Sequence, residues 1–394
     1  MSIKTSARIQ RVKPSPTLAV TALANQLRAE GRDVIGLAAG EPDFDTPQHI
    51  KQAAIEAINN GMTKYTAVDG TAELKQAIIN KFKRDNGLDY EADQIIVSVG
   101  GKQAFYNLAQ ALLNPGDEVI IPAPYWVSYP DMVKLADGEP VIVSGDMAQS
   151  FKITPEQLDA AITDRTRLVV INSPSNPSGK AYTRDELKAL GDVLLQHPDI
   201  AIITDDIYEH IVWTDEGFNN ILNACPELQD RTLVMNGVSK AYSMTGWRIG
   251  YTGGPAEIIK GMKKVQSQST SNPCSIAQEA AREALDGDQS FLAEMCQVFR
   301  ERHDFVYQTL RAMDGVKCLP SDGTFYSFPS FHAVIERMEG IDDDVQLAQL
   351  LLEKAEVALV PGTAFGLPGH LRLSFATDMQ SLEKALARIQ KAIA

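Results

Sequence analysis

Residues 237–251 read GVSKAYSMTGWRIGY, a stretch of small residues holding one lysine, Lys240, and an arginine, Arg248, eight positions later. Lysine is ordinarily a solvated surface residue, yet this one follows an apolar run, RTLVMNGVS, and stands between a serine and an alanine. A lysine amine held away from water is a candidate nucleophile toward a carbonyl, because desolvation favours its neutral form.

Four further groups carry chemistry. In SVGGKQAF, Gly100, Gly101 and Lys102 stand where a strand gives way to a helix, and two glycines let backbone N–H groups approach an anion. Gly-Gly at such a junction is also an ordinary turn. Lys102 tilts the balance, since a cation in the first helical turn opposes the helix dipole and an anionic ligand removes the conflict. TDDIYEH puts Asp205 and Asp206 at the end of a strand, where alternation aims only one of them into a given site, and Tyr208 adds a hydroxyl. Taken alone, the acid pair reads better as one helix cap and one solvated carboxylate. INSPSNPSGKAY carries Asn172 and Asn176 into a turn that could be a plain loop. In PAPYWVSYP, Trp126 is either core or a flat plate for an aromatic ring.

These residues need a frame. QIIVSVGG, DEVIIPAP, EPVIVS, TRLVVINSP, DIAIITDDIY, RTLVMNGVS and WRIGYTGG each have the near-continuous apolar, β-branched character of a strand buried on both faces. Helical segments lie among them, including KQAFYNLAQALL and TRDELKALGDVLLQHP, the latter with Thr183 or Asp185 as its cap. The alternation predicts an α/β fold, a mostly parallel sheet with helices on both faces. In such sheets ligands bind beyond the carboxyl ends of the strands, and Gly100 to Lys102, Trp126, Asn172 to Asn176, Asp205 and Asp206 with Tyr208, and Lys240 stand at such ends. After about residue 285 the pattern becomes α+β and closes on an amphipathic helix. The helix expected around residues 18–31 should pack with it.

Composition sets the limits. The chain has 394 residues, 44% hydrophobic and 22% charged, with a net charge of −14. That length predicts a large domain with a smaller one, and the acidity disfavours nucleic acid as a partner. The six histidines show no HxxxH spacing and the four cysteines no CxxC pair, so no metal is expected. The N-terminal residues lack the apolar core of a secretory signal and no run approaches the ~20 apolar residues of a membrane span, which predicts a cytoplasmic protein.

Combined, an anion-binding turn, an aromatic plate, an asparagine, an aspartate, a tyrosine, a lysine and an arginine are the set that pyridoxal phosphate needs. Its aldehyde takes a lysine, its ring nitrogen a carboxylate, its phenolic oxygen Tyr and Asn donors, and its phosphate backbone and guanidinium donors.

The chain also resembles the class I, fold-type-I pyridoxal-phosphate aminotransferases over nearly its whole length. The matching segments are AAGEPDFDTP, TKYTAVDGTAELKQAI, GGKQAFYNL, PAPYWVSYP, NSPSNPSG, TDDIYEH, SKAYSMTGWRIGY and RLSFAT. GGKQ with KPSPTLAV points to the bacterial aspartate or aspartate/prephenate subgroup. The resemblance implies a mostly parallel seven-stranded sheet in a large domain over residues 49–285. Residues 1–48 and 286–394 would form the smaller α+β domain. It assigns Lys240 to the cofactor aldehyde and to proton transfer, Asp205 to the ring nitrogen, and Tyr208 and Asn176 to the phenolic oxygen. Trp126 would stack on the ring, and Gly100, Gly101, Lys102, Ser239 and Arg248 would surround the phosphate. Arg372 would clamp the substrate α-carboxylate, helped by Gly40 and Asn176. Lys102 and Thr17, beside Trp126, would meet the distal acidic group. Tyr65 would reach the phosphate of a neighbouring subunit, which implies a homodimer with shared sites. One departure stands out: many relatives carry a hydroxyl three residues before the lysine, where this chain has Gly237.

The activity this implies is ping-pong amino transfer between L-aspartate and 2-oxoglutarate, giving oxaloacetate and L-glutamate. Alternatives on the same frame are a prephenate, aromatic or broad-specificity aminotransferase and a C–S β-lyase. A non-enzymatic alternative is the cofactor-binding domain of a transcriptional regulator, which would require a basic DNA-binding domain.

Overall fold

The computed structural model describes residues 3–394. A two-residue strand, β1 (Ile35–Gly36), precedes seven strands that form one sheet. They are β2 (Ile95–Ser98), β3 (Glu118–Ala123), β4 (Glu139–Ser144), β5 (Thr166–Asn172), β6 (Ala201–Asp205), β7 (Thr232–Gly237) and β8 (Gly250–Gly253). Their order is β2-β8-β7-β6-β5-β3-β4, and β8 alone runs antiparallel to its neighbours. This is the expected mostly parallel seven-stranded sheet.

The apolar runs are continuous because helices cover both faces. Val169 and Ile171 of β5 join one buried cluster with Ile202 and Val234, while Leu168 and Val170 join another with Ile203 and Leu233. Each such side chain contributes about 1.5–3 kcal/mol on burial. One expectation fails. EPVIVS is not buried on both faces: β4 is the edge strand, paired only with β3, and Ile142 is 40% exposed. Of the two candidate caps, Thr183 is the one used, in a reciprocal pair with Glu186 at the start of the Arg184–Leu195 helix.

The C-terminal segment contributes β9 (Tyr326–Ser327), β10 (Val357–Ala358), β11 (Val360–Pro361) and β12 (Leu371–Ser374), with the helices Phe291–Arg311 and Met379–Ile393 packed around them. Strand β1 pairs in parallel with β10, tying the N-terminal segment to the C-terminal one. The helix Pro16–Ala29 buries Ala24 and Leu27 in a cluster with Phe328, Val360 and Phe365.

Where β8 crosses the sheet, its backbone presses on the turn before the Gly100–Leu112 helix. A Cβ on Gly250 would lie 2.5 Å from the carbonyl carbon of Gly100 and from the Gly101 nitrogen. Gly237, paired with Gly250, is less tightly confined: a Cβ there would meet the Ile249 carbonyl oxygen at 3.0 Å, which a shift of a few tenths of an ångström relieves. Gly250→Ala should cost about 1–3 kcal/mol of stability by overpacking, read as a lower urea midpoint. Gly246→Ala, which faces open space, should leave the midpoint unchanged.

Candidate active site

A cleft of ≈ 380 Å³ opens at the carboxyl edge of the sheet. The ends of β6 and β7 bring Asp205, Tyr208, Ser239 and Lys240 into its lining, and the turn after β5 brings Asn176. Gly101, Lys102 and Trp126 come from the segments after β2 and β3. Thr17 enters from the Pro16–Ala29 helix, Gly40 from the segment after β1, Arg248 from just before β8 and Arg372 from β12. One expected residue, Gly100, is absent from the lining, and Tyr65, expected to act on a neighbouring subunit, lies outside it. Gly100 sits behind the lining, where a Cβ would strike the Arg248 guanidinium. Tyr65 is 92% exposed.

Lys240 is partly buried and its Nζ donates to the Gly40 carbonyl. Loss of water, followed by the Arg372 and Arg248 charges, lowers its pKa from 10.5 to about 8, against the opposing pull of Glu41 and Asp205. Asp205 ends β6 and accepts the Tyr129 hydroxyl at 2.5 Å, and Asn172 Nδ2 donates to its main-chain oxygen at 3.0 Å. Burial raises its pKa from 3.8 to about 6, although the Tyr129 hydrogen bond works the other way. Asp206 turns away, accepting from Thr204 Oγ1 and Asn220 Nδ2, and burial pushes it to about 8. Both acids are buried, so neither is the solvated carboxylate that local sequence allowed.

Arg372 is 2% exposed. Its Nη1 donates to Asn176 Oδ1 at 2.9 Å and its Nη2 to the Ala38 carbonyl at 2.6 Å, so the main chain of Ala38 holds it in place. The guanidinium lies 4.4 Å from the Tyr326 ring centroid and 5.0 Å from that of Phe365, while its Nε has no partner. The Tyr208 and Tyr326 hydroxyls meet at 3.0 Å. At the other end, the Gly100–Leu112 helix starts with no side-chain cap, leaving its first N–H groups free for a ligand. Arg248, in the left-handed region at φ 56, is held by the Thr245 carbonyl at 2.8 Å and pairs with no carboxylate. Lys102 Nζ stands 5.3 Å from the Trp126 ring centroid, and partial burial with the nearby Arg248 charge lowers its pKa.

This donor set fits pyridoxal phosphate. The uncapped helix start, Ser239 and Arg248 suit a phosphate, Asp205 a ring nitrogen, Trp126 a ring face and Lys240 an aldehyde. When bound, the cofactor supplies an electrophilic aldehyde and an electron-withdrawing ring. No metal is called for: among the described residues, the one cluster with ligand spacing, Asp85, Glu209 and His210, already encloses the Lys81 ammonium.

Sequence reasoning passed over Tyr129, Tyr326 and Glu41. Tyr129 stands three residues after Trp126 in a quoted motif, but nothing local shows that its hydroxyl reaches β6.

The family model for aminotransferase class I and II matches residues 32–389. The aspartate/prephenate aminotransferase of Nitrosomonas europaea is 59% identical over 98% of this chain and 99% of its own. The structure resembles that of the Rhizobium meliloti aspartate aminotransferase with a TM-score of 0.96 at 50% identity, covering 100% of this chain and 99% of the other. The Thermus thermophilus aspartate aminotransferase solved with maleate gives 0.93 at 44% identity, covering 99% and 100%.

The lowered Lys240 pKa has a direct consequence. In cofactor-free protein, labelling of Lys240 by an amine-reactive reagent should rise with pH about a midpoint near 8, as the neutral amine forms, and not near 10.5. Peptide mass spectrometry reads it. Removing the hydroxyl that stabilises the Asp205 carboxylate in Tyr129→Phe should raise the Asp205 titration further above 6, read by carboxyl-¹³C NMR of cofactor-free protein. An unmoved titration would show that the bond does not tune it.

Proposed function

We propose that this chain, which belongs to the class I and II aminotransferase family, moves the amino group between L-aspartate and 2-oxoglutarate by a ping-pong mechanism with pyridoxal phosphate. The observation that carries the substrate reading is the charge of the cleft. Arg372 lies buried with an unpaired Nε, and Lys102 stands with Thr17 in the same lining as Lys240 and Asp205. Two cationic groups in one cleft suit a short dicarboxylate, with the planar fork of Arg372 matched to the α-carboxylate. Lys240 acts as nucleophile and afterwards as the base that moves the proton from the substrate Cα. Asp205 stabilises positive charge at the far end of the site, and Tyr208 and Asn176 supply hydrogen bonds between them.

Prephenate is a second reading. A second, mostly apolar cavity of ≈ 460 Å³ shares Lys102, Val127 and Ser128 with the lining of the cleft and would offer room for a larger side chain ending in a carboxylate. The Nitrosomonas relative carries both substrates in its name.

A homodimer with shared sites is part of the proposal. It is supported by the exposure of Tyr65, with Ile55 and Ile58 also exposed. The division into residues 49–285 and a smaller unit from both termini is supported by the pairing of β1 with β10. A cytoplasmic location is consistent with the absence, among the described residues, of any helix long and apolar enough to cross a membrane.

The test mixes the yellow holoenzyme with single amino acids. L-aspartate and L-glutamate should convert the cofactor to its amine form, and oxaloacetate and prephenate should be compared as amino acceptors. Lys240→Ala should keep cofactor bound through the phosphate and lose turnover. Conversion by neutral amino acids alone would overturn the acidic-substrate reading, and pyruvate release from cystathionine without an oxo acid would identify a lyase.

A further inference from the structure

The lining of the cleft contains two carboxylates, and they stand in unlike surroundings. Asp205 is buried and held by Tyr129. Glu41 is exposed, joins no ion pair with lysine or arginine, and accepts a hydrogen bond from Thr245 Oγ1 at 2.9 Å. Around it the lining carries four cations, Lys102, Lys240, Arg248 and Arg372. A cleft shaped only to attract dianions would lose affinity by placing a carboxylate at its mouth, since like charges repel there. The presence of Glu41 asks for a cationic partner that arrives with the ligand.

We infer that Glu41 recognises the substrate's α-ammonium and so discriminates amino acids from dicarboxylates that lack the amino group. The inference rests on the transaminase reading above and deepens it. Amino transfer requires the incoming nitrogen to reach the place that Lys240 Nζ holds, and Gly40, whose carbonyl accepts from that Nζ, is the residue before Glu41. Of the carboxylates that favour the protonated form of Lys240, Glu41 acts more strongly than Asp205. A substrate ammonium arriving there feels the same field. Thr245, also in the lining, fixes the carboxylate on the side of the Arg248 loop.

The two ligands of the reaction differ by one charge. A dicarboxylic amino acid carries a net −1 with a cationic end near Glu41, and the matching oxo acid carries −2 with none. One carboxylate at this point therefore favours the first and disfavours the second. It offsets the bias of Lys102 and Arg372, the two cations the cofactor does not engage, toward the oxo acid.

The test compares two probes that cannot complete amino transfer on the holoenzyme by equilibrium titration: 2-methylaspartate, whose amino group can exchange with Lys240 but which has no Cα hydrogen to lose, and maleate, which has no amino group. In Glu41→Gln, the dissociation constant for 2-methylaspartate should rise about three- to tenfold, the range for one partly screened charge pair. That for maleate should stay level or fall. Thr245→Val, which keeps the charge but frees it, should shift the ratio in the same direction by less, and it carries the test if Glu41→Gln does not fold. An equal change for both probes, or none, overturns the inference while leaving the transaminase reading intact. A wild-type holoenzyme that binds neither probe overturns both.

Discussion

The structure is organised around keeping two opposite charges dry without letting them neutralise each other. Lys240 and Asp205 line one cleft, yet no salt bridge joins them; the amine rests on the Gly40 carbonyl and the carboxylate on the Tyr129 hydroxyl. A direct pair would push the lysine pKa up and the aspartate pKa down, leaving a cationic lysine that is no nucleophile. Held apart, the lysine falls to about 8 and the aspartate rises to about 6. For the fully buried Asp205 a shift of this size corresponds to about 3 kcal/mol of unrecovered solvation. The sign follows from linkage: with the folded pKa above the unfolded one, the favourable contribution is full below pH 3.8 and lost as pH rises through about 6. At neutral pH the cofactor-free protein carries that cost, and a ligand cation offsets it.

Such strain demands rigid support, and a buried polar network beneath the strand ends supplies it. Glu209, one residue after Tyr208, accepts from Asn236 at the end of β7 and from Asn86, each at 2.8 Å, and pairs with buried Lys81. The Lys81 charge, with His210 and Asn86, outweighs burial and holds Glu209 down at about 2. The turn bearing Asp205 and Tyr208 is thereby tied to the strand leading to Lys240. Buried ion pairs of this kind add little net stability, since desolvation consumes the Coulombic gain, but removing one partner is severe. Here the pair fixes the ends of β6 and β7 relative to each other.

This explains what could be read in the sequence and what could not. Strand runs, the capped helix at Thr183, and Lys240, Asp205 and Arg248 were legible, because period, turn chemistry and strand-end position are local properties. The exposure of β4 was not, because strand order decides which apolar run lies at an edge. Tyr129 was quoted in a motif and missed as a partner of Asp205, because its hydroxyl crosses from a helix start to a strand two places away in the sheet. Tyr326 reaches Tyr208 and Arg372 only once β9 and β12 pair. Glu41 stood inside AAGEPDFDTP with nothing local to separate it from a solvated acid.

That segment, residues 37–46, is the crossroads of the molecule although most of it has no regular secondary structure. Leu37 donates to Ala358 in β10 and accepts from Ser374 in β12. Ala38 holds Arg372, Gly40 holds Lys240, and Glu41 accepts from Thr245. Asp43 takes both guanidinium nitrogens of Arg302 from the Phe291–Arg311 helix, at 2.7 and 2.9 Å. Thr46 donates to the Ser243 carbonyl and accepts from Trp247. Two residues of chain span at most about 7 Å, so the carbonyls of Ala38 and Gly40 limit how far the Arg372 guanidinium can stand from the Lys240 amine. Both side chains are held through main-chain carbonyls of one segment, contacts that substitution of the side chains at positions 38 and 40 would not remove.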